Sequence, residues 1–502
     1  MLSIRVWIRQ RLRAGGLVLA CCSALAACRT SPPPVGSTSN ALTREEAALA
    51  KALAHYVQGL LYEFEQGRLS DRAREHYRQA AELDPTESRL YSQAAAMALL
   101  RGAPHEAVAT LEQACRAAPR AVEPRLNLAT VYQLTGQLEL AARTYSEATR
   151  LSPTNPLPYT ALAVLYFYQD RTDKALRTLE AGLRHTSTND QRAFLAFCYN
   201  QGMRLARSGN WPAAIKCYRF TARHSPNDRA YFQHLIGEAY ELLKQPQLAA
   251  RWFRKSIRNP EPFPPSYVKL ALLQLPANPD YAIKILREGE KRMPENLLIP
   301  LALAQIYGSQ GRFAEAVKIF DKIAAQVGSN PTEKLTASFY LHYGAMCDRA
   351  GLPQKAEAIM EEGLHYYPDA HEILNYLAYT WAEKNVNLEK ALDYVTRALQ
   401  SEPQNGAYLD TLGWIYFRQK KYEDALREIK KADERIPNDP TVIEHLGDVY
   451  DALRRKDEAL DAWMKSYRIN PQNTALREKL RSLGVDPDQK QTELRKAPGA
   501  AE

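Results

Sequence analysis

Cysteine and histidine are scarce in this chain of 502 residues, with 7 and 10 copies, and neither gathers. Cys115, Cys198, Cys217 and Cys347 form no CxxC pair and no metal-finger spacing, which excludes a zinc module. His365 and His371 are close in sequence but straddle a helix break, without a carboxylate pair at ligand spacing, so no metal site is read there. Gly-rich phosphate loops, nucleophile elbows and HExxH helices are missing, which removes the common nucleotide, acyl-transfer and metalloprotease readings. Most carboxylates lie at i, i+4 from Lys or Arg on outer helical faces, where they serve solvation. No catalytic residue and no cofactor is expected. Charge of one sign is also weak. The net value of +9 includes Arg5, Arg9, Arg11 and Arg13, which belong to a segment read below as removed, leaving +5. So mild an excess gives no ground for a nucleic-acid partner. Apolar residues at 45% and charged residues at 25% fit a soluble, folded protein.

What the chain does have is self-similarity. From Leu412, the residues Gly413, Tyr416, Ala425, Ile429, Ala432 and Pro437 follow at offsets of 1, 4, 13, 17, 20 and 25. A step of 34 residues brings Leu446, Gly447, Tyr450, Ala459, Trp463, Ser466 and Pro471 onto the same offsets. Two helices of about 12–14 residues and two short turns fit one such period. Leu412 and Tyr416 share one helical face, as do Ala425 and Ile429. Gly413 and Ala425 are small where the two helices cross. Pro437 cannot continue a helix and marks the end of the second one.

This pattern resembles the tetratricopeptide repeat family over most of the chain. The resemblance implies an all-α solenoid of helical hairpins wound as a right-handed superhelix. Terminal markers at Pro85, Pro119, Pro153, Ser187, Pro226, Pro260, Pro294, Gly328, Pro368, Pro403, Pro437 and Pro471 count twelve repeats. The small-residue site carries alanine in all twelve, from Ala73 and Ala107 to Ala425 and Ala459. The seventh unit, Tyr267 to Pro294, is rich in proline and has Leu270 where the others have Gly or Ala. Marker spacing stretches to 39 before Pro226 and 40 before Pro368. Both insertions are expected to lengthen a first helix, near 190–207 and 332–350, and to bend the array. The second would start from Asn330, Pro331 and Glu333 as cap, first-turn proline and carboxylate. The array, residues 43–484, then divides into groups 43–187, 188–328 and 329–471 with a cap at 472–484. That cap is the amphipathic stretch Asn473–Leu483, stopped by Gly484, and a disordered tail follows over 485–502. Cys198 and Cys217 could face each other across one hairpin, as a disulfide or as two buried thiols.

The N-terminus reads differently. Residues 1–27 give four arginines, an apolar run from Gly15 to Ala27 and small residues, the order of a secretory signal. The run is shorter than the roughly 20 residues a bilayer span needs. Leu25-Ala26-Ala27-Cys28 resembles a bacterial lipobox, which implies that Cys28 becomes the first mature residue and carries lipid. Arg29 in place of Asp after it favours sorting to the outer membrane, facing the periplasm. The alternative is ordinary cleavage near Ala26, releasing a free periplasmic or secreted protein. Residues 28–42 are a Pro/Ser/Gly tether, and Thr43 with Glu46 forms a capping box that starts a helix at Arg44, running toward Gln66.

In the family the first helix of each hairpin lines the concave face. The matching positions are Tyr379 and Glu383, then Asp410, Trp414, Phe417 and Arg418, then Glu444, Asp448 and Asp451. Phe167, Tyr168, Tyr231, His234 and Glu238 take equivalent places earlier. Trp414 either faces a partner or packs against the next hairpin. The Lys and Asn of the family's chaperone-tail clamps are replaced by Asp410 and Trp414, or by Glu444 and Asp448, so that clamp is not present. The resemblance implies a protein-interaction scaffold, lipid-anchored through Cys28, serving envelope proteins of an assembly or export machine. The alternative is an accessory of exopolysaccharide export that binds glycan along an aromatic groove.

Overall fold

The computed structural model describes residues 43–67, 70–84, 87–328 and 335–488. Cys28, its tether, the cap signal Asn330–Glu333 and the tail beyond 488 lie outside the described residues. Among the described residues there are twenty-five α-helices and no strand.

They pair in sequence as twelve hairpins and a cap. The first four are α1 (Arg44–Gln66) with α2 (Asp71–Leu83), α3 (Ser88–Leu100) with α4 (Pro104–Ala117), α5 (Glu123–Leu134) with α6 (Leu138–Leu151), and α7 (Pro156–Tyr168) with α8 (Thr172–His185). The next four are α9 (Thr188–Arg207) with α10 (Trp211–His224), α11 (Arg229–Leu242) with α12 (Pro246–Ile257), α13 (Pro264–Gln274) with α14 (Pro279–Arg292), and α15 (Leu298–Ser309) with α16 (Phe313–Gly328). The last four are α17 (Ala337–Arg349) with α18 (Pro353–Tyr366), α19 (His371–Lys384) with α20 (Leu388–Ser401), α21 (Gly406–Arg418) with α22 (Tyr422–Arg435), and α23 (Pro440–Ala452) with α24 (Lys456–Ile469). The cap is α25 (Thr474–Ser482).

Local chemistry explains the boundaries. Asn405 and Asp439 accept backbone N–H groups in the first turns of α21 and α23, donors that a helix start leaves unpaired. The capping box at Thr43 and Glu46 is present, and α1 has the expected bounds. Most second helices end two residues before their marker proline, as α22 does at Arg435 before Pro437, and α12 ends three before Pro260.

The alanine register is the core of the array. All twelve alanines are buried, none more than 4% exposed. The glycine register works as a socket. A Cβ on Gly413 would come within 2.4 Å of the Ile429 side chain and 3.2 Å of the Ala425 carbonyl oxygen. At Gly447 the ring of Trp463 would lie 2.4 Å away. Glycine thus admits a bulky side chain from sixteen positions on, as well as close backbones. In the seventh hairpin Leu270 and Leu286 fill the same space from both helices, each no more than 1% exposed, and the hairpin still closes.

Of the two insertions, the first lengthens its helix as expected. Ser187 accepts the Asp190 N–H at 3.3 Å, and α9 runs for 20 residues. The second does not lengthen a first helix: α17 has 13 residues and begins at the Thr336 cap. Thr336 takes the Phe339 N–H at 3.2 Å, and the Tyr367 hydroxyl holds the Leu335 carbonyl at 2.7 Å, which fixes the later start. The preceding α16 is extended instead, to 16 residues.

By contacts the chain divides into two compact units, residues 1–197 and 198–502, with the division inside α9. Cys198 and Cys217 are free, fully buried thiols on α9 and α10, and the Cys198 thiol donates to the Cys217 carbonyl at 3.7 Å. Cys347 is likewise buried, and burial pushes its thiol up to about 11. No described helix is long and apolar enough to cross a membrane.

Candidate functional site

The residues predicted from Tyr379 to Asp451 come together along α19, α21 and α23, three successive first helices, with the cap α25 against them. His445 of α23 sits at the centre. Its Nδ1 lies 3.0 Å from both carboxylate oxygens of Asp410 on α21. Its ring stacks on Trp414 at 3.9 Å between centroids and 12° between planes, and Trp414 stacks in turn on Phe417 at 4.6 Å. The Arg418 guanidinium lies 4.7 Å from the Trp414 ring centre and donates to the Glu383 carbonyl of α19 at 3.1 Å. Trp414 Nε1 donates to the Glu383 carboxylate. Three stacked rings and the Arg418 guanidinium thus lie between the Asp410 and Glu383 carboxylates, and the column ties α19, α21 and α23 together.

Burial sets the electrostatics. Asp410 is 5% and His445 6% exposed. Burial opposes a charged imidazole, but the adjoining Asp410 carboxylate outweighs it, and His445 is held above its ordinary 6.5. Burial, and then the neighbouring Asp448 charge, raise Glu444 above the usual carboxylate range. Tyr379 is half-buried, and burial first, then Glu383, Asp410 and Glu444 around it, push its hydroxyl up.

The placement decides between the two readings of Trp414. Trp414, 5% exposed, is not an outward-lining aromatic; it packs against the next hairpin through His445. Phe167 is also buried, at 3%, with its ring against Phe197. The aromatic groove required for glycan binding therefore lacks two of its walls. Phe417 and Arg418 are half-buried, and Asp451 is exposed. Asp448 accepts from Trp463 Nε1 at 2.8 Å and pairs with Lys479 of the cap, while Glu444 accepts from Asn473 at 2.8 Å. This face carries a run of carboxylates, most of them bonded within the chain, set on a polar-aromatic backing. His445 was missed in the sequence. Its signal is a spacing of 35 from Asp410, one period plus one, which sets an acid and an imidazole against each other on adjacent first helices.

A second cluster has the outline of a hydrolytic triad. His234 on α11 has Nδ1 2.9 Å from the Ser266 hydroxyl and Nε2 3.4 Å from Glu238. The His234 bond, against burial, holds Glu238 below its usual range. Ser266, however, is fully buried and donates to Ser256 at 2.8 Å, which donates to the Ala230 carbonyl at 2.7 Å. Its proton is committed and its oxygen is sealed from solvent, so the cluster pins α11, α12 and α13 and presents no nucleophile. Among the described residues no group of three or more His, Cys, Asp or Glu is gathered as a metal site requires.

Comparisons with known proteins agree with the hairpin plan. The tetratricopeptide repeat profile matches residues 94–156, 199–263, 301–370, 348–406, 382–440 and 411–474, more than half of the chain. A TPR repeat-containing protein of Pseudomonas aeruginosa, PA4667, is 37% identical over 95 residues, 18% of this chain and 16% of that protein. The type IV pilus assembly protein PilF of the same organism is 27% identical over 136 residues, 26% of this chain and 52% of that protein. The chain thus spans about a sixth of one curated relative and about half of the other. Among solved structures, the APC/C hetero-tetramer Cut9-Hcn1 is similar at a TM-score of 0.40 and 12% identity, over 88% of this chain and 96% of that one.

Proposed function

Since the chain belongs to the tetratricopeptide repeat family, we propose that it is a periplasm-facing scaffold that holds proteins of an envelope assembly or export machine together. Binding of protein partners is the general work of such arrays. The finer reading adds an outer-membrane lipid anchor at Cys28, a short tether, and a docking face on the last three hairpins. The observation that carries it is the face built from α19, α21 and α23. Glu383, Glu444, Asp448 and Asp451 stand on a backing of buried stacked rings that no hairpin could hold alone. Glu383 and Asp448 already face Arg418 and Lys479, so Asp451, exposed beside them, is the carboxylate that favours a partner segment carrying Lys or Arg. The pilus assembly role in the name of one relative is in keeping with an envelope machine.

Two experiments test it. Photocrosslinkers placed at Asp451 and Phe417 in cells, followed by mass spectrometry of the adducts, should return envelope proteins. Recovery of cytosolic proteins alone would overturn the reading. The mass of the mature N-terminus should correspond to a diacylglycerol-bearing Cys28; a start elsewhere removes the anchor and leaves the scaffold.

A further inference from the structure

We propose that the outer face of α10 and α12 is a docking surface for an acidic segment of a protein partner. Neither helix carries an Asp or Glu, whereas the other ten second helices carry at least two each. Arg219 and Arg223 stand on α10, Arg251, Arg254 and Lys255 on α12, and Arg258 directly after it. All are exposed except Arg254, which is half-buried. Arg251, Lys255 and Arg258 follow at steps of four and three, so they form one row along α12, opposite the buried Ala249 and Phe253.

These cations are left without carboxylates. On the later hairpins the outer helices neutralise one another. Lys322 of α16 meets Glu290 of α14 at 2.7 Å, Lys355 of α18 meets Asp321 of α16 at 2.6 Å, and Lys390 of α20 meets Glu361 of α18 at 2.6 Å. Between α10 and α12 the place of such a bridge is taken by the Trp252 ring. The Arg219 guanidinium lies 5.2 Å from its centre and Lys255 Nζ 4.1 Å. Arg219 also donates to the Tyr240 hydroxyl at 2.7 Å. Among the described residues none of the six cations forms an ion pair, and Glu238 and Glu241 of the intervening α11 turn to Lys269 of α13.

The make-up of the row favours carboxylates. Five of the six cations are Arg, whose planar fork takes a carboxylate through two parallel N–H bonds. An acidic stretch laid across the two helices supplies the charges that these helices lack. A bilayer surface fits less well. Of the large apolar side chains on α10 and α12 only Leu248 is exposed, whereas interfacial helices bury an apolar face. A single nucleic-acid strand also fits less well, because no aromatic side chain of either helix is exposed to stack a base. This face is separate from the one on α19, α21 and α23, and the inference does not depend on lipid at Cys28.

Fluorescence anisotropy of the full chain with a labelled peptide of alternating glutamate and glycine tests it. The peptide should bind, its lysine counterpart should not, and binding should weaken as salt rises. Arg251→Glu with Arg258→Glu should weaken it about tenfold. Arg143→Glu with Arg150→Glu, the same charge change at exposed positions of α6, should leave it within about twofold. Helix content by circular dichroism should stay unchanged in both pairs. The proposal is overturned if the glutamate peptide does not bind, or if the first pair weakens binding no more than the second. It is equally overturned if phosphatidylglycerol vesicles or oligothymidylate bind the full chain more tightly than the peptide does.

Discussion

At the C-terminal end, α25 lays Leu476 and Leu480, both fully buried, over the last hairpin and turns Lys479 to Asp448. Asp488, just past the helix, accepts from the Tyr467 hydroxyl at 2.7 Å, so the chain folds back at least that far. At the N-terminal end, no described helix covers the outer face of α1, where a row of leucines ending in Phe64 is exposed. A repeat array needs a polar outer face on its terminal units. Among the described residues, one end satisfies that need and the other does not. The last hairpins also carry the stacked column around His445, whereas the first carries a close imidazole pair, His55 and His76, with Nδ1 atoms 2.9 Å apart.

The difference can be broken by truncation. Trp463→Ala at the capped end should cost about 3–5 kcal/mol, the range for a buried aromatic. Phe64→Ala should change the isolated first hairpin by less than about 0.5 kcal/mol. Hydrogen exchange in α1–α2 and in α23–α24 reads the two separately; equal losses would erase the distinction. Next in size is Gly447→Ala. Its Cβ would press on Trp463, and overpacking of this kind costs about 1–3 kcal/mol.

Acidity should act on the two ends with opposite sign. Burial, then the nearby His55, holds His76 below its ordinary 6.5. A depressed group contributes stability that is present above 6.5 and lost as pH falls through the folded value, so the first hairpin weakens on acidification. His445 is raised, so its contribution is full below 6.5 and lost as pH climbs through the folded value. Exchange protection in α1–α2 should therefore fall toward pH 5, and protection in α21–α23 should fall on the alkaline side. His445→Gln should remove the second trend and leave the first.

The smallest effect lies in the turns between paired helices. Gly102 and Gly136 take positive φ there, and Lys420 and Arg454 hold the same conformation at 62° without being glycine. Lys420→Gly should relieve that backbone and raise stability by up to about 1 kcal/mol, seen as a higher unfolding midpoint.

Much of the fold could be read from the residues because the repeat puts the same contact in every unit. Alanine at one register must be small wherever two helices cross, so twelve positions were predictable together, and all are buried. The α1 bounds and the long α9 followed from local cap chemistry at Thr43 and from the length of the insertion. The start of α17 did not. Leu335 is held by Tyr367, 32 residues away, and a contact that distant leaves no trace in the local cap signal. The site was legible in its membership but not in its orientation. Trp414 looks inward where α23 sets His445 against both its ring and Asp410 of α21. No periodicity in either helix reports it.

Within each unit, the substantial helix pairings join neighbours or next-but-one helices. Among the described helices no substantial pairing clasps distant parts of the sequence, so load applied along either unit is borne in series. Pulled from its two termini, the molecule should give way in steps of about one repeat, each at modest force. Hairpins already peeled could re-form while their neighbours held. An element reaching from a fixed surface to a moving partner would in this way lengthen under strain without coming apart at once.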